Sequence, residues 1–290
     1  MTCHALAPLL GTCLLDETSW IKAVITIKEL MNLKGRRAVI TGATGGLGKV
    51  MADTLAELGA DLVLVDRPGS DFQGLTGTLF HRWGVKIQQR HCDLEQQDQR
   101  ADLLDWLKTS GEGLNILINN AAFVGTAELQ GWAVPFEQQT VDTWRRALEV
   151  NLTAAFDLCQ GLAPMLRVAE GASIINIASI YGEYGPDWGL YEGTNMSNPA
   201  AYGAAKGGLI QLTRWLATTL APRVRVNSIS PGGIFRNQPE KFVTRYEAKT
   251  PLGRMATEDD FRGVVAYLAS DLSRYSTGQK LAVDGGWGVW

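Results

Sequence analysis

AVITGATGGLG, residues 38–48, decides how this chain is read. A β-branched run ending at Thr41 passes into a glycine-rich turn and then into a segment of helical period. Thr41, Gly42, Gly46, Leu47 and Gly48 form a loop whose backbone can turn tightly and aim N–H groups at a pyrophosphate beside the positive end of a helix. A nucleoside triphosphate loop fails by register. Counting back from Lys49, that motif needs glycine where Ala43 stands and a hydroxyl where Val50 stands.

The same alternation continues outward from the loop. Short apolar or β-branched runs occupy 38–41, 62–66, 85–93, 115–119, 173–179, 224–230 and 280–284. Helical candidates lie between them, near 46–59, 70–83, 95–109, 140–169, 200–221 and 257–269. This is the pattern of βαβ units and predicts a seven-stranded parallel sheet with helices on both faces, one doubly wound Rossmann-type α/β domain over 31–290. Residues 1–30 read as an amino-terminal extension of unknown role, or as a mis-assigned start before Met31. Within it, 20–31 has the spacing of a short amphipathic helix. Two irregular stretches, 180–199 and 231–256, follow strands directly, where open α/β sheets bind ligands, and so they are the expected walls of a substrate site.

Composition narrows the function classes. The 290 residues are 46% apolar and 20% charged, enough for a large core, and a formal net charge of −3 gives no basic field for nucleic acid. Cys3, Cys13, Cys92 and Cys159 are widely spaced with no CxxC pair, so no metal cage or disulfide framework is expected and a reducing cytoplasm is the simplest home. No run approaches the roughly 18 apolar residues of a membrane span.

Asp66 closes the second run, 18 residues after Gly48. A carboxylate there can accept hydrogen bonds from both hydroxyls of an adenosine ribose and would repel a 2′-phosphate, which favours NAD over NADP, although the adjacent Arg67 could offset that charge. Asp93, followed by Leu94, is placed either to meet an adenine edge or to cap a turn. Tyr202 and Lys206 stand at i and i+4 on one helix face. A cation ~4 Å from a phenolate contributes roughly 4 kcal/mol, about three pKa units, enough to bring a tyrosine toward neutrality.

TGATGGLG, Asp66, Asn119-Asn120-Ala121-Ala122, Asn151, Ser179, Tyr202-x-x-x-Lys206 and Pro231-Gly232 together resemble the short-chain dehydrogenase/reductase family from about residue 33 onward. The resemblance implies that Tyr202 is the general acid/base on a substrate hydroxyl or carbonyl oxygen. Lys206 would lower its pKa and hold a nicotinamide ribose, Ser179 would bond the same substrate oxygen, and Asn151 would position a proton-conducting water chain. Asn120 and Ala121 would line the cofactor, and Pro231, Gly232 and Ile234 would lie against the nicotinamide. Dimers or tetramers, built through the helices near 140–169 and 200–221 and the carboxyl terminus, are the family's habit.

Three positions depart from the family pattern. Arg236 stands where a threonine is usual, Ala122 where glycine is commoner, and 23 positions separate Ser179 from Tyr202, about ten more than usual. The added length falls in 180–199. Tyr181, Trp188 and Tyr191 there suit stacking on a sugar ring, or equally a loop that packs on itself. The basic excess of 236–254, led by Arg236, suits an anionic substrate such as the diphosphate of a nucleotide sugar, or else ion pairing with the acidic insertion opposite.

SIYG, YEGT and SPGGIFRNQPEKF are similar to members found in bacterial surface-sugar and flagellin-glycan biosynthesis. Hydride transfer between a nicotinamide and a secondary alcohol or ketone of a sugar or nucleotide sugar is therefore expected. The alternatives are a 3-oxoacyl-carrier-protein or small-ketone reductase, and a non-catalytic NAD-binding sensor or scaffold.

Overall fold

The computed structural model describes residues 25–124 and 129–290. Seven strands form one parallel sheet: β1 (Arg37–Thr41), β2 (Asp61–Asp66), β3 (Ile87–His91), β4 (Ile116–Asn119), β5 (Ser173–Ile177), β6 (Arg225–Pro231) and β7 (Lys280–Val283). Their order is β3-β2-β1-β4-β5-β6-β7. The chain winds outward from β1 in one direction and, after β3, returns to β4 and winds outward in the other. The β1/β4 boundary is thus the topological switch point, where a crevice opens beyond the carboxyl ends of the strands.

The sheet's register explains the continuous apolar runs. Ala38, Ile40, Leu62, Leu64, Ile116, Ile118, Ile175 and Ile229 face one core layer. Their alternates Val39, Val63, Val65, Leu117, Ile174 and Val226 face the other. Strands buried on both faces carry no polar alternation. The first layer is closed by α2 (Gly46–Glu57), α3 (Gln73–Trp83) and α9 (Arg262–Ala269), through Met51, Leu55, Leu79, Val265 and Leu268. The second is closed by α4 (Gln97–Thr109), α6 (Ala154–Val168) and α7 (Ala200–Leu220), through Leu103, Leu107, Leu158, Leu162, Leu216 and Leu220.

The expected seven-stranded sheet is present, with differences at element ends. The run 85–93 is strand only over β3, because its Gln, Arg and His side chains belong to a half-exposed edge. The helical segment 140–169 divides into α5 (Val141–Leu148), a π-turn at Glu149–Thr153 and α6. The stretch 231–256 is not wholly irregular and carries α8 (Glu240–Lys249). Of the proposed helix 20–31, Ile27–Met31 forms α1, capped by reciprocal bonds between Thr26 and Glu29. The remainder of 1–30, with Cys3 and Cys13, lies outside the described residues apart from Ile25 and Thr26. Among the described residues, no helix is long and apolar enough to cross a membrane.

Candidate active site

A cleft of about 920 Å³ opens at the switch point. Gly42, Gly46, Leu47 and Gly48 form its floor, Asp66, Asp93 and Leu94 one end, and Ser179, Tyr202 and Lys206 the other. Asn120, Ala121, Pro231, Gly232, Ile234 and Arg236 complete the wall. Residues spread over most of the chain converge because each follows the carboxyl end of a strand or opens the helix after it.

The glycine loop is held by close approach of backbone to backbone. Gly42 has φ +63°, and a Cβ there would stand 2.8 Å from Cα of Ala121, so no side chain fits. Thr41 sits beneath the loop instead of lining the cleft. Its hydroxyl accepts from the N–H groups of Asn120 and Ala121 at 3.0 and 3.1 Å, and the Asn120 amide donates back to the carbonyls of Thr41 and Gly42. The loop, β1 and the segment after β4 are thereby one rigid unit. Helix α2 begins at Gly46 with no side-chain cap and no acidic residue in its first turn. Its first N–H groups are free for an external anion.

Asp66 faces this loop from the end of β2. Its Oδ2 accepts from the Thr44 N–H at 2.9 Å and hydroxyl at 2.8 Å, and its Oδ1 from the Arg67 N–H at 2.8 Å and the Ser70 hydroxyl at 3.2 Å. The carboxylate is fixed in place and retains acceptor capacity toward the cleft. Asp93 both lines the cleft and shapes its turn, its side chain accepting from the Glu95 N–H at 3.0 Å. A loop that leaves no room for side chains, an uncapped helix start and a carboxylate held at the far end fit a dinucleotide.

At the Tyr202 end Lys206 is 2% exposed and donates to the Ile177 carbonyl at 2.7 Å. Burial brings its pKa down to about 8. Its Nζ lies 5.8 Å from the centre of the Tyr202 ring, which weakens the direct charge effect expected from the i, i+4 spacing. Burial dominates the phenol and holds Tyr202 above its ordinary value, against the Ser179 hydroxyl and the charge of Arg236. Tyr202 is therefore a neutral phenol at pH 7. Ser179 caps a short 3₁₀ turn, accepting from the Tyr181 N–H at 3.2 Å.

Asn151 sits on the π-turn, a distortion often found at functional sites. Its amide clasps the main chain of Phe123, accepting from the N–H at 2.6 Å and donating to the carbonyl at 3.3 Å. Asn151 is not on the main cleft wall and acts on the segment that carries Phe123 past it. Arg100, 3% exposed, braces the same turn. It pairs with Glu149 at 2.8 Å and Asp157 at 2.7 Å and donates to the Leu94 carbonyl at 2.6 Å.

The chain's own contacts decide how the two walls pack. Tyr181 and Tyr191 bond hydroxyl to hydroxyl at 2.7 Å and belong to an aromatic cluster with Phe242, Tyr246 and Trp287. Trp188 is exposed, against Tyr191. None of the three lines the cleft, and their contacts are those of a loop packed on itself. Four basic residues of the second wall, Arg236, Arg245, Lys249 and Arg254, are likewise engaged. Lys249 pairs with Asp187, Arg245 donates to the Glu192 carbonyl at 2.5 Å, and Arg254 grips Asp260 with two bonds of 2.7 Å. Arg236 reaches the cleft and pairs with Glu258 at 3.1 Å.

Phe123, Arg146 and Gln238 also line the cleft and were not among the candidates from sequence. Only the position of Phe123, just after the Asn-Asn-Ala-Ala segment, carried a signal. Among the described residues no cluster of His, Cys, Asp and Glu could hold a metal ion.

Comparison with known proteins settles the family. The profile of the family described as enoyl-(acyl carrier protein) reductase matches residues 42–288. The chain is a short-chain dehydrogenase/reductase. One relative of this dehydrogenase/reductase is the 3-oxoacyl-[acyl-carrier-protein] reductase of Aquifex aeolicus, 28% identical over 261 residues, covering 88% of this chain and 98% of that one. A gluconate 5-dehydrogenase from Burkholderia cenocepacia, solved with NADP and tartrate, aligns with TM-score 0.77 at 28% identity over 91% of this chain and 100% of that one. A xylitol dehydrogenase bound to NAD+ aligns with TM-score 0.76 at 28% identity, over 88% and 99%.

Proposed function

We propose that this short-chain dehydrogenase/reductase is an NAD(H)-dependent enzyme interconverting a secondary alcohol and a ketone on a small polyhydroxy substrate, of the sugar, sugar-acid or polyol class. The observation that carries the reading is one cleft holding both a dinucleotide cradle ending at Asp66 and a half-buried Tyr202 beside buried Ser179 and Lys206. A nicotinamide dinucleotide held there supplies or accepts the hydride.

The chain's own residues manage the proton and the orientation. Tyr202 donates its phenolic proton to a carbonyl oxygen or takes one from a hydroxyl. Ser179 offers a second hydrogen bond to that oxygen and so fixes the reacting carbon at the Tyr202 end of the cleft. Lys206, held by Ile177, keeps a positive charge near the phenol as it ionises. Asn151 and Arg100 keep the wall at Phe123 and Leu94 in place.

The preference for NAD rests on Asp66, whose fixed carboxylate suits ribose hydroxyls and opposes a 2′-phosphate. The polyhydroxy class is supported by relatives named for gluconate and xylitol. A nucleotide sugar is a narrower version with less support, since Tyr181 and Tyr191 are spent on packing and Arg236 sits beside the glycine loop. The second reading, a 3-oxoacyl-carrier-protein reductase, is favoured by the Aquifex relative.

Titration of NADH and NADPH by nicotinamide fluorescence, followed by turnover on gluconate-like ketoses, polyols, nucleotide sugars and 3-oxoacyl thioesters, separates these readings. Tighter NADH and turnover of a polyhydroxy compound are expected. Tighter NADPH with turnover of thioesters alone would install the second reading. Assembly of copies belongs to the proposal too, supported by the exposed Trp144, Phe156 and Trp215 on α5, α6 and α7.

A further inference from the structure

Arg236 occupies an unusual place. It lines the cleft, yet its guanidinium lies against the glycine loop: a Cβ built on Gly46 would stand 3.1 Å from Arg236 Nη2 and 2.5 Å from Glu258 Oε1. The Arg236–Glu258 pair therefore rests directly on the first residue of α2, at a helix start without a cap of its own. Glu258 is not part of the cleft wall, so the guanidinium stands between a carboxylate behind it and the cleft in front.

Both partners are held by their own backbones. Gln238 accepts from the Arg236 N–H at 2.7 Å and donates to the Ile234 carbonyl at 2.7 Å, while Phe235 donates to the Ala256 carbonyl at 2.8 Å. Glu258 opens a 3₁₀ turn fixed by the reciprocal Thr257 and Asp260 cap. Of the other cations on the wall, Arg146 pairs with Glu95 at 2.7 Å, Lys206 donates to Ile177 at 2.7 Å, and Arg67 stands at the Asp66 end, its N–H donating to the Asp66 carboxylate. Arg236 is the wall cation that lies on Gly46.

Resting on the dehydrogenase reading above, we propose that Arg236 binds the diphosphate of the dinucleotide and that Glu258 competes with that diphosphate for the same guanidinium. The pair is then a latch on the cofactor and not a reader of the substrate. A diphosphate over the start of α2 meets the helix N–H groups and the guanidinium together, and the forked donor can turn one edge to each anion. Glu258 keeps the guanidinium aligned with the loop, at the cost of weakening the cofactor's hold.

The test is calorimetric titration of the full chain with NADH, ADP-ribose and adenosine, in wild type, Arg236→Gln, Glu258→Gln and the double variant. ADP-ribose carries the diphosphate without the nicotinamide, and adenosine carries neither. Arg236→Gln should weaken NADH and ADP-ribose alike, by about tenfold or more, and leave adenosine unchanged. Glu258→Gln should tighten both by about threefold to tenfold, and should have no such effect once Arg236 is gone. Unchanged ADP-ribose affinity in Arg236→Gln, with only KM for substrate altered, would return Arg236 to the substrate and overturn the latch. Weaker ADP-ribose binding in Glu258→Gln would overturn it as well. Unchanged adenosine binding in each variant certifies the fold. Wild-type protein that binds neither NADH nor ADP-ribose would instead sink the dehydrogenase reading itself.

Discussion

Lys206 donates to the Ile177 carbonyl at 2.7 Å while its side chain is almost wholly removed from water. A buried ammonium with one strand carbonyl as its hydrogen-bond partner is kept at a cost to stability, and its pKa of about 8 measures that cost. Between about 8 and its ordinary 10.5 the unfolded chain holds a proton on this group that the folded chain has shed. Lys206 therefore destabilises the fold fully below about pH 8, and the penalty fades as pH rises toward 10.5.

Replacing Lys206 with Met should consequently raise stability at pH 7, by about 1 to 3 kcal/mol after the lost bond to Ile177 is counted, while abolishing turnover. Urea melts of both proteins across pH check this. The advantage of the variant should shrink above about pH 8; an advantage independent of pH would show that burial leaves the Lys206 pKa where it is in the unfolded chain.

Tyr202 is the next group whose state sets the chemistry. Burial raises it, so the phenol is protonated at neutral pH and ready to donate. Ketone reduction should be flat from about pH 6 to about pH 8, and alcohol oxidation should still be climbing at about pH 9, since only the ionised phenol accepts the proton. Initial rates in both directions over that range are the measurement. An oxidation rate already saturated at about pH 7 would place the phenol below its ordinary value.

How far the sequence reached is clearest where it stopped. The strands were legible because Val39, Ile40, Val63, Leu64 and Ile118 are buried on both faces of a parallel sheet and form unbroken apolar runs. The π-turn at Glu149–Thr153 was hidden because apolar spacing carries through it from Ala147 to Leu158. Helix α8 buries only Phe242 and Tyr246, too little for a periodic signal. Aromatics in 180–199 read equally well as sugar platforms and as packing. Their fate is decided by Trp287, a hundred residues on, against which Tyr181 and Tyr184 pack. The partner of Arg236, Glu258, lies 22 residues away across a bridge between Ile234 and Ala256 that no local pattern announces.

Asp66 gives a prediction about the cofactor. Asp66→Ala removes the carboxylate proposed to meet the ribose and also releases Thr44. NADH affinity should fall about tenfold to a hundredfold and NADPH affinity should rise relative to it. Fluorescence titration with both cofactors reads the ratio. An unchanged ratio would mean that Arg67, not Asp66, governs selectivity.

The exposed Trp144 on α5, Phe156 on α6 and Trp215 on α7 predict assembly. Light scattering at micromolar concentration should report a dimer or tetramer, and Trp215→Glu should shift it to a smaller species. A wild-type monomer would refute this directly.

The proposed function stands on proton transfer by Tyr202 in a cleft suited to a nicotinamide dinucleotide, and Tyr202→Phe removes that proton alone. NADH affinity in the variant should stay within about twofold of wild type, while NADH consumption on the polyhydroxy ketone panel should fall at least about a hundredfold. A variant that turns over at the wild-type rate, or a wild-type protein that binds NADH and reduces nothing on the panel, would contradict it.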